Sequence, residues 1–294
     1  VIVQRIASGN TLPVLAVVGL IIALWYLMAI VLNAPWAYDQ AGRQDTTLGF
    51  GELVAATWSQ DRPRLPAPHQ VTAELWKTTI EVAPTSRRSL FHHAWITLSA
   101  TLLGFAMGTV LGILLAVAIV HNRAMDASVM PWIIASQTIP ILAIAPMIIV
   151  VLASLGLTGL LPKAVISMYL SFFPVVVGMV KGLRSPDRIL LDQLHTWNAS
   201  EVETFLKLRW PAALPYLFAS LKVAVAASLV GAIIGELPTG AVAGLGARML
   251  SGSYYGQTVQ IWSALVMASI LAASLVALVG LAERVTGRLM GVRP

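Results

Sequence analysis

The chain contains no cysteine, which excludes a disulfide, a thiolate nucleophile and a thiolate metal site. Charge is nearly as scarce. Only 11% of the 294 residues are charged, whereas a soluble domain carries about 25%. So few charges cannot cover a water-facing surface, and much of the exterior must face lipid. Catalytic signatures are missing as well. None of the five lysines follows a glycine, so there is no G-x-x-x-x-G-K-[ST] phosphate loop and no ATP site of that type. H-E-x-x-H and G-x-S-x-G are absent. Gly244-Leu245-Gly246 opens like a dinucleotide fingerprint, but Met249 stands where the third glycine belongs. The adjacent His92 and His93 sit at a membrane edge and read as interfacial polarity rather than a metal pair. No metal site and no cofactor bound by the chain is expected.

What the sequence has in abundance is apolar length. Hydrophobic residues make up 57% of it, and they cluster in runs near Leu12–Leu32, Ala94–Val120, Val129–Leu152, Leu160–Val180, Tyr216–Leu237 and Thr258–Leu281. Each approaches the ~20 residues a helix needs to cross a bilayer. The expectation is an all-α membrane protein of six transmembrane helices. The first run exceeds the ~7–15 apolar residues of a cleaved signal and reads as a retained span.

Positive residues in short loops orient such helices. With the N-terminus inside, Arg5, Arg123, Lys181, Arg184, Arg188, Lys207, Arg209, Lys222, Arg284, Arg288 and Arg293 face the cytoplasm, and only Lys163 and Arg248 fall outside, apart from the first loop. Both termini are then cytoplasmic. The net charge of +6 reflects this topology and does not point to nucleic acid. The expected organisation is residues 1–32 as N-terminus and first span, and 33–93 as an external loop. A five-helix core follows over 94–285 with a cytoplasmic loop at 181–215, and then a cytoplasmic tail at 286–294.

Two loops exceed simple connections. In the first, Leu65-Pro66-Ala67-Pro68 is extended. His69–Val82 follows, where Val71, Leu75, Trp76, Thr79 and Val82 approximate one helical face, either on the membrane surface or in a solvated linker. In the second, Pro186, Pro211 and Pro215 punctuate a charged stretch. Asp187–Leu208 reads as two short helices broken near Asn198, a residue that tolerates the left-handed conformation. A structured loop of this length suggests a docking surface.

Within the spans, Gly104, Gly108 and Gly112 recur on one helix face and read as a close packing stripe. Gln137 and Thr138 precede Pro140 and Pro146, whose missing donors loosen the helix. The pair marks either a translocation path or a kink with interhelical bonds. Tyr169, Ser171 and Ser228 could add polar contacts to a path. Glu236, in Gly235-Glu236-Leu237-Pro238, is a functional candidate because an acid near hydrocarbon is costly, although at a span end it could simply reach the interface. No lysine or arginine falls mid-span, so no fixed cationic site for an anion is evident, and Glu236 has no mid-membrane partner.

The second loop carries a family resemblance. Asp192-Gln193-Leu194, three residues, Asn198, nine residues, then Leu208-Arg209-Trp210-Pro211 resembles the EAA loop of permeases in binding-protein-dependent ABC importers, E-A-A, three residues, G, nine residues, I-x-L-P. The letters depart from it at the acid, both alanines and the glycine. Leu65-Pro66-Ala67-Pro68, the glycine stripe, Thr138-Ile139-Pro140 with Ala145-Pro146, Phe173-Pro174, Gly182-Leu183-Arg184-Ser185, Ala199-Ser200, Pro211-Ala212-Ala213-Leu214-Pro215 and Gly235-Glu236-Leu237 resemble the nitrate, sulfonate and taurine branch. The stretch from Gly235 through Thr239-Gly240 to Gly246 is similar to permeases for pyrimidine-like solutes.

The resemblance implies the type I importer permease fold and alternating access for a small organic solute. It implies three partners: cytoplasmic ATPase subunits holding ATP and Mg, a second permease copy or paralogue, and a periplasmic solute-binding protein. By position, Asp192, Gln193, Asn198, Ala199, Ser200, Glu201 and Pro211 would contact the ATPase. An ion-coupled secondary transporter is the rival reading. It would call for paired intramembrane charges or an inverted repeat.

Overall fold

The structure, a computed structural model, describes residues 11–291 except 239–242. Arg5, Arg293, Thr239 and Gly240, all named above, lie outside the described residues. The chain divides into two compact units, one reaching to Phe91 and including Arg248–Met267, the other comprising His92–Ala247 and the chain from Ala268 onward.

The first unit is built on helix α1 (Thr11–Arg43). At 1.5 Å per residue its 33 residues extend roughly 50 Å, well beyond the ~30 Å hydrocarbon core. It therefore does not end at Leu32 as expected but runs on to Arg43, with Pro35 inside it. Asn33, expected to open the external loop, lies inside this helix. It is buried, and its Nδ2 donates to Thr57 O (3.2 Å) and Leu65 O (2.9 Å), while its Oδ1 accepts from the N–H groups of Arg64 (2.8 Å) and Leu65 (3.2 Å). One amide thus fastens the first loop to α1. Trp25 adds a bond from Nε1 to Pro66 O (2.9 Å) and packs against Trp262 at 4.8 Å. The loop itself is folded, with α2 at Phe50–Trp58 and α3 at Pro68–Trp76. Pro68 suits α3's first turn, where its missing N–H costs nothing. A wide π turn over Lys77–Glu81 extends the helix. Of the expected apolar face only Val71 is buried, joined by Thr78, while Trp76 is exposed.

The second unit centres on α4 (Leu90–His121), followed by α5 (Arg123–Ser136), α6 (Ile141–Ser154) and α7 (Leu160–Leu183). Then come α8 (Arg188–Thr196), α9 (Glu201–Thr204) and α10 (Trp210–Glu236). Helix α11 (Leu245–Tyr254) and the long α12 (Thr258–Leu289) complete the chain. The apolar core gathers Val175, Val176 and Met179 of α7 with Ala116 and Ile119 of α4, Ile133 of α5 and Leu217 of α10. The glycines let α4 lie almost backbone to backbone on α7. A Cβ on Gly104 would stand 2.3 Å from Ser167 Cβ, on Gly108 2.1 Å from Ser171 Oγ, and on Gly112 2.7 Å from Val175 Cβ.

Among the described residues, five helical stretches are long and apolar enough to cross a membrane: α1, α4, α7, Glu201–Glu236 and α12. The expected third span is not one helix. It is the pair α5 and α6, bent by 101°, and it makes a sixth crossing if the pair counts as one. The break falls where Pro140 lacks an N–H and forces the residue before it out of the helical region. Pro211 and Pro215 do not interrupt the chain as expected. Between α9 and α10, Phe205–Arg209 forms a π turn in which Trp210 N–H bonds Phe205 O, five residues back. That extra residue loosens the turn where Pro211 can donate no bond, and the helix continues.

Candidate functional site

Two parts of the second unit concentrate polar chemistry, one at each end of α7. At the C-terminal end lies the charged loop. Helix α8 stops in a left-handed turn: Asn198 has φ +58°, its N–H bonds His195 O (3.0 Å), and Ala199 N–H reaches back to Leu194 O (3.0 Å). This pair of bonds is the Schellman arrangement, whose left-handed position favours glycine and next asparagine. Ser200 then starts α9 with a reciprocal cap. Its Oγ accepts from Glu203 N–H (3.2 Å), and Glu203 Oε2 accepts from Ser200 N–H (3.0 Å).

The loop is anchored from both sides. Arg184 pairs with Asp126 at 2.8 Å, and Arg209 Nη1 donates to Leu183 O at 3.2 Å, closing the end of α7. Asp192, Gln193, Asn198, Ser200 and Glu201 are exposed, and Ala199 and Pro211 are half-buried. Ile189, Trp197 and Val202 are 73%, 68% and 66% exposed. A rigid, capped loop thus presents large apolar side chains among charges.

At the other end lies a buried node that the sequence did not reveal. Glu236 does not reach an interface; it is 0% exposed. Thr97 donates its hydroxyl hydrogen to Glu236 Oε1 (2.9 Å), Gly246 N–H donates to Oε2 (2.8 Å), and Lys163 Nζ stands 3.8 Å from Oε1. Leu245 N–H bonds Thr97 Oγ1 (2.9 Å) and Gly244 N–H bonds His93 Nδ1 (3.0 Å). Three successive N–H groups at the start of α11, otherwise orphaned, are therefore taken by His93, Thr97 and Glu236. A carboxylate there is also favoured by the helix dipole. Gly244, at φ +131°, admits no side chain: a Cβ would lie 2.2 Å from Glu236 Cδ. Two expectations are corrected here. Lys163, expected as a loop charge, is 7% exposed in the first turn of α7 and supplies Glu236 with a charged neighbour. His93 is likewise buried rather than interfacial.

The remaining path candidates separate. Gln137 and Thr138 are exposed at the α5–α6 elbow, which the Tyr169 hydroxyl secures by bonding Ser136 O. Ser171 and Ser228 lie in the seams between helices. Both are fully buried in the helix seam, where Ser171 bonds Gly104 O (3.3 Å) and Ser228 bonds Thr101 O (2.8 Å) and meets Ser167 Oγ (2.7 Å). These hydroxyls fasten neighbouring helices to one another. Among the described residues no cluster of three metal-ligating side chains occurs.

The family model described as binding-protein-dependent transport system inner membrane component matches residues 108–291. The chain is 31% identical over 216 residues to a probable ABC transporter permease protein of Haemophilus influenzae, covering 74% of this chain and 83% of the relative. It is 33% identical over 182 residues to a formylaminopyrimidine transport permease protein of Halalkalibacterium halodurans, covering 62% and 68%. A riboflavin transport system permease protein of Chloroflexus aurantiacus is 30% identical over 224 residues, covering 76% and 80%.

Proposed function

Because the chain belongs to the binding-protein-dependent transport system inner membrane components, the permease subunits of ABC importers, we propose that it admits a small heterocyclic solute and is driven through the loop Arg188–Thr204. The fold is the type I importer permease fold, and the protein is a multi-pass membrane protein. The family places ATP hydrolysis in a partner subunit, so ATP and Mg belong there.

The observation that carries the reading is the rigid loop itself. Its capped helices hold Ile189, Trp197 and Val202 out of any contact that would bury them. Exposed apolar residues on a structured element mark a docking face. A cytoplasmic ATPase is the occupant that fits a charged loop on the positive side of the membrane, with both termini on that side. Asp192, Gln193, Asn198, Ala199, Ser200 and Glu201 form the contact, and Pro211 starts the helix that carries motion into the membrane. Two permease chains, alike or paralogous, would pair around the path, and a periplasmic binding protein would deliver solute. A heterocyclic solute is favoured by likeness to the formylaminopyrimidine and riboflavin permeases.

Ala199→Arg places a long charge on the half-buried residue between the left-handed turn and the cap. In vesicles reconstituted with ATPase and binding protein, the variant is expected to insert normally and hydrolyse ATP while uptake collapses. Uptake at the unmodified level would remove the loop from the coupling path.

A further inference from the structure

A cavity of about 600 Å³ opens beside the buried node. Ile96, Ile149 and Leu157 give it apolar walls, Ser99 and Thr158 contribute hydroxyls, and Lys163 is the one ionisable side chain among its described lining residues. Its size suits a small organic ligand, since such sites run to about 300–1,000 Å³ and combine apolar walls with a few polar groups.

Lys163 is the informative member. Its ammonium has three donors, yet it makes no hydrogen bond among the described residues; Glu236 Oε1, at 3.8 Å, is beyond hydrogen-bond length. Glu236 is wholly buried and does not line the cavity, whereas Lys163 does. The pair therefore turns its positive end toward the cavity, with the compensating charge behind it. A nearly buried cation that finds no hydrogen-bond acceptor among the described residues, bordering a space of ligand size, is satisfied by an incoming oxygen acceptor.

We propose that this cavity is a solute site at the end of the membrane domain away from the charged loop, and that Lys163 holds there a carboxylate, sulfonate or carbonyl oxygen of a solute with an apolar body. The inference rests on the import reading and adds a chemical class to it: the solute carries at least one strong oxygen acceptor. It also gives the Lys163–Glu236 pair a use in transport, because the same carboxylate holds the start of α11. A ligand that draws Lys163 away from Glu236 acts directly on that attachment.

The absence of cysteine makes the test direct. Ser99→Cys and, separately, Ala153→Cys place single thiols in the cavity wall. Each is reacted in sealed vesicles with anionic ethylsulfonate and cationic trimethylammonium methanethiosulfonate reagents. The anionic reagent is expected to react about tenfold faster relative to its rate with free thiol, as a fixed cation in a low-dielectric cleft concentrates anions. Lys163→Met should bring that preference close to unity, and Lys163→Arg should keep it. No reaction with either reagent from either side would overturn the site. A preference that survives Lys163→Met would overturn the role of the lysine. Neither result depends on the ATPase, so failure here is distinct from failure of the Ala199→Arg experiment.

Discussion

At the scale of single residues, two buried polar side chains hold distant parts of the chain together. Glu236→Ala would leave Lys163 without its counter-charge, strip Gly246 N–H of its acceptor and leave the Thr97 hydroxyl only His93 O. Breaking one side of a buried pair costs about 3–5 kcal/mol, so a large fall in thermal unfolding temperature in detergent is expected. Glu236→Gln keeps an oxygen for Gly246 and should fall less; the reverse order would contradict the node's geometry. Asn33→Ala leaves the carbonyl of Leu65 and the amides of Arg64 and Leu65 unpaired near α1. At about 1–3 kcal/mol per unsatisfied buried group, limited proteolysis should cut the first loop far faster than in the parent chain. Unchanged protection would show that Asn33 does not fasten it. Neither role was legible in the sequence. Gly235-Glu236-Leu237-Pro238 reads locally as a helix end, and Asn33 as the first residue of a loop. Their partners come from residues remote in the chain, which no local periodicity reports.

At the scale of elements, the chain was far more readable wherever the cause is local. The break at Asn198 follows from one residue's tolerance of positive φ, and the Ser200–Glu203 cap from side chains three residues apart. Asn198→Gly should therefore leave stability within about 1 kcal/mol of the parent, since glycine accepts the left-handed region freely. Asn198→Val should lose about 1–2 kcal/mol and release α8. Hydrogen exchange of the Ala199 amide distinguishes them, and equal protection in both would contradict the turn. The glycine stripe was legible as a packing face; what it packs on was not. Gly108→Ala drives a Cβ to 2.1 Å from Ser171 Oγ and should cost about 1–3 kcal/mol by overpacking. Gly19→Ala on α1, with nothing within 4 Å, should cost nothing. A comparable loss at both sites would mean that the stripe is not the contact. Pro211 misled because a π turn, invisible to residue type, precedes it and places it in the first turn of α10, where its missing N–H costs little.

At the scale of the whole molecule, apolar run lengths gave the membrane class and all but one of the spans. The exception, α5 with α6, was readable as a kink at Pro140 but not as a 101° bend, where the Tyr169 hydroxyl holds Ser136 from another helix. The long-range chemistry thus lies at the two ends of α7, with a docking loop at one and a buried charge pair at the other. This layout suits a subunit that receives work at one end and handles solute at the other. The central claim, an importer permease driven by a partner, is tested most directly by purifying the tagged chain from its native membranes in mild detergent and identifying what accompanies it by mass spectrometry. The expected result is a nucleotide-binding ATPase in equimolar amount, with a second permease or a second copy of this one. A chain that purifies without an ATPase, and still moves solute in proportion to an ion gradient, would contradict the account.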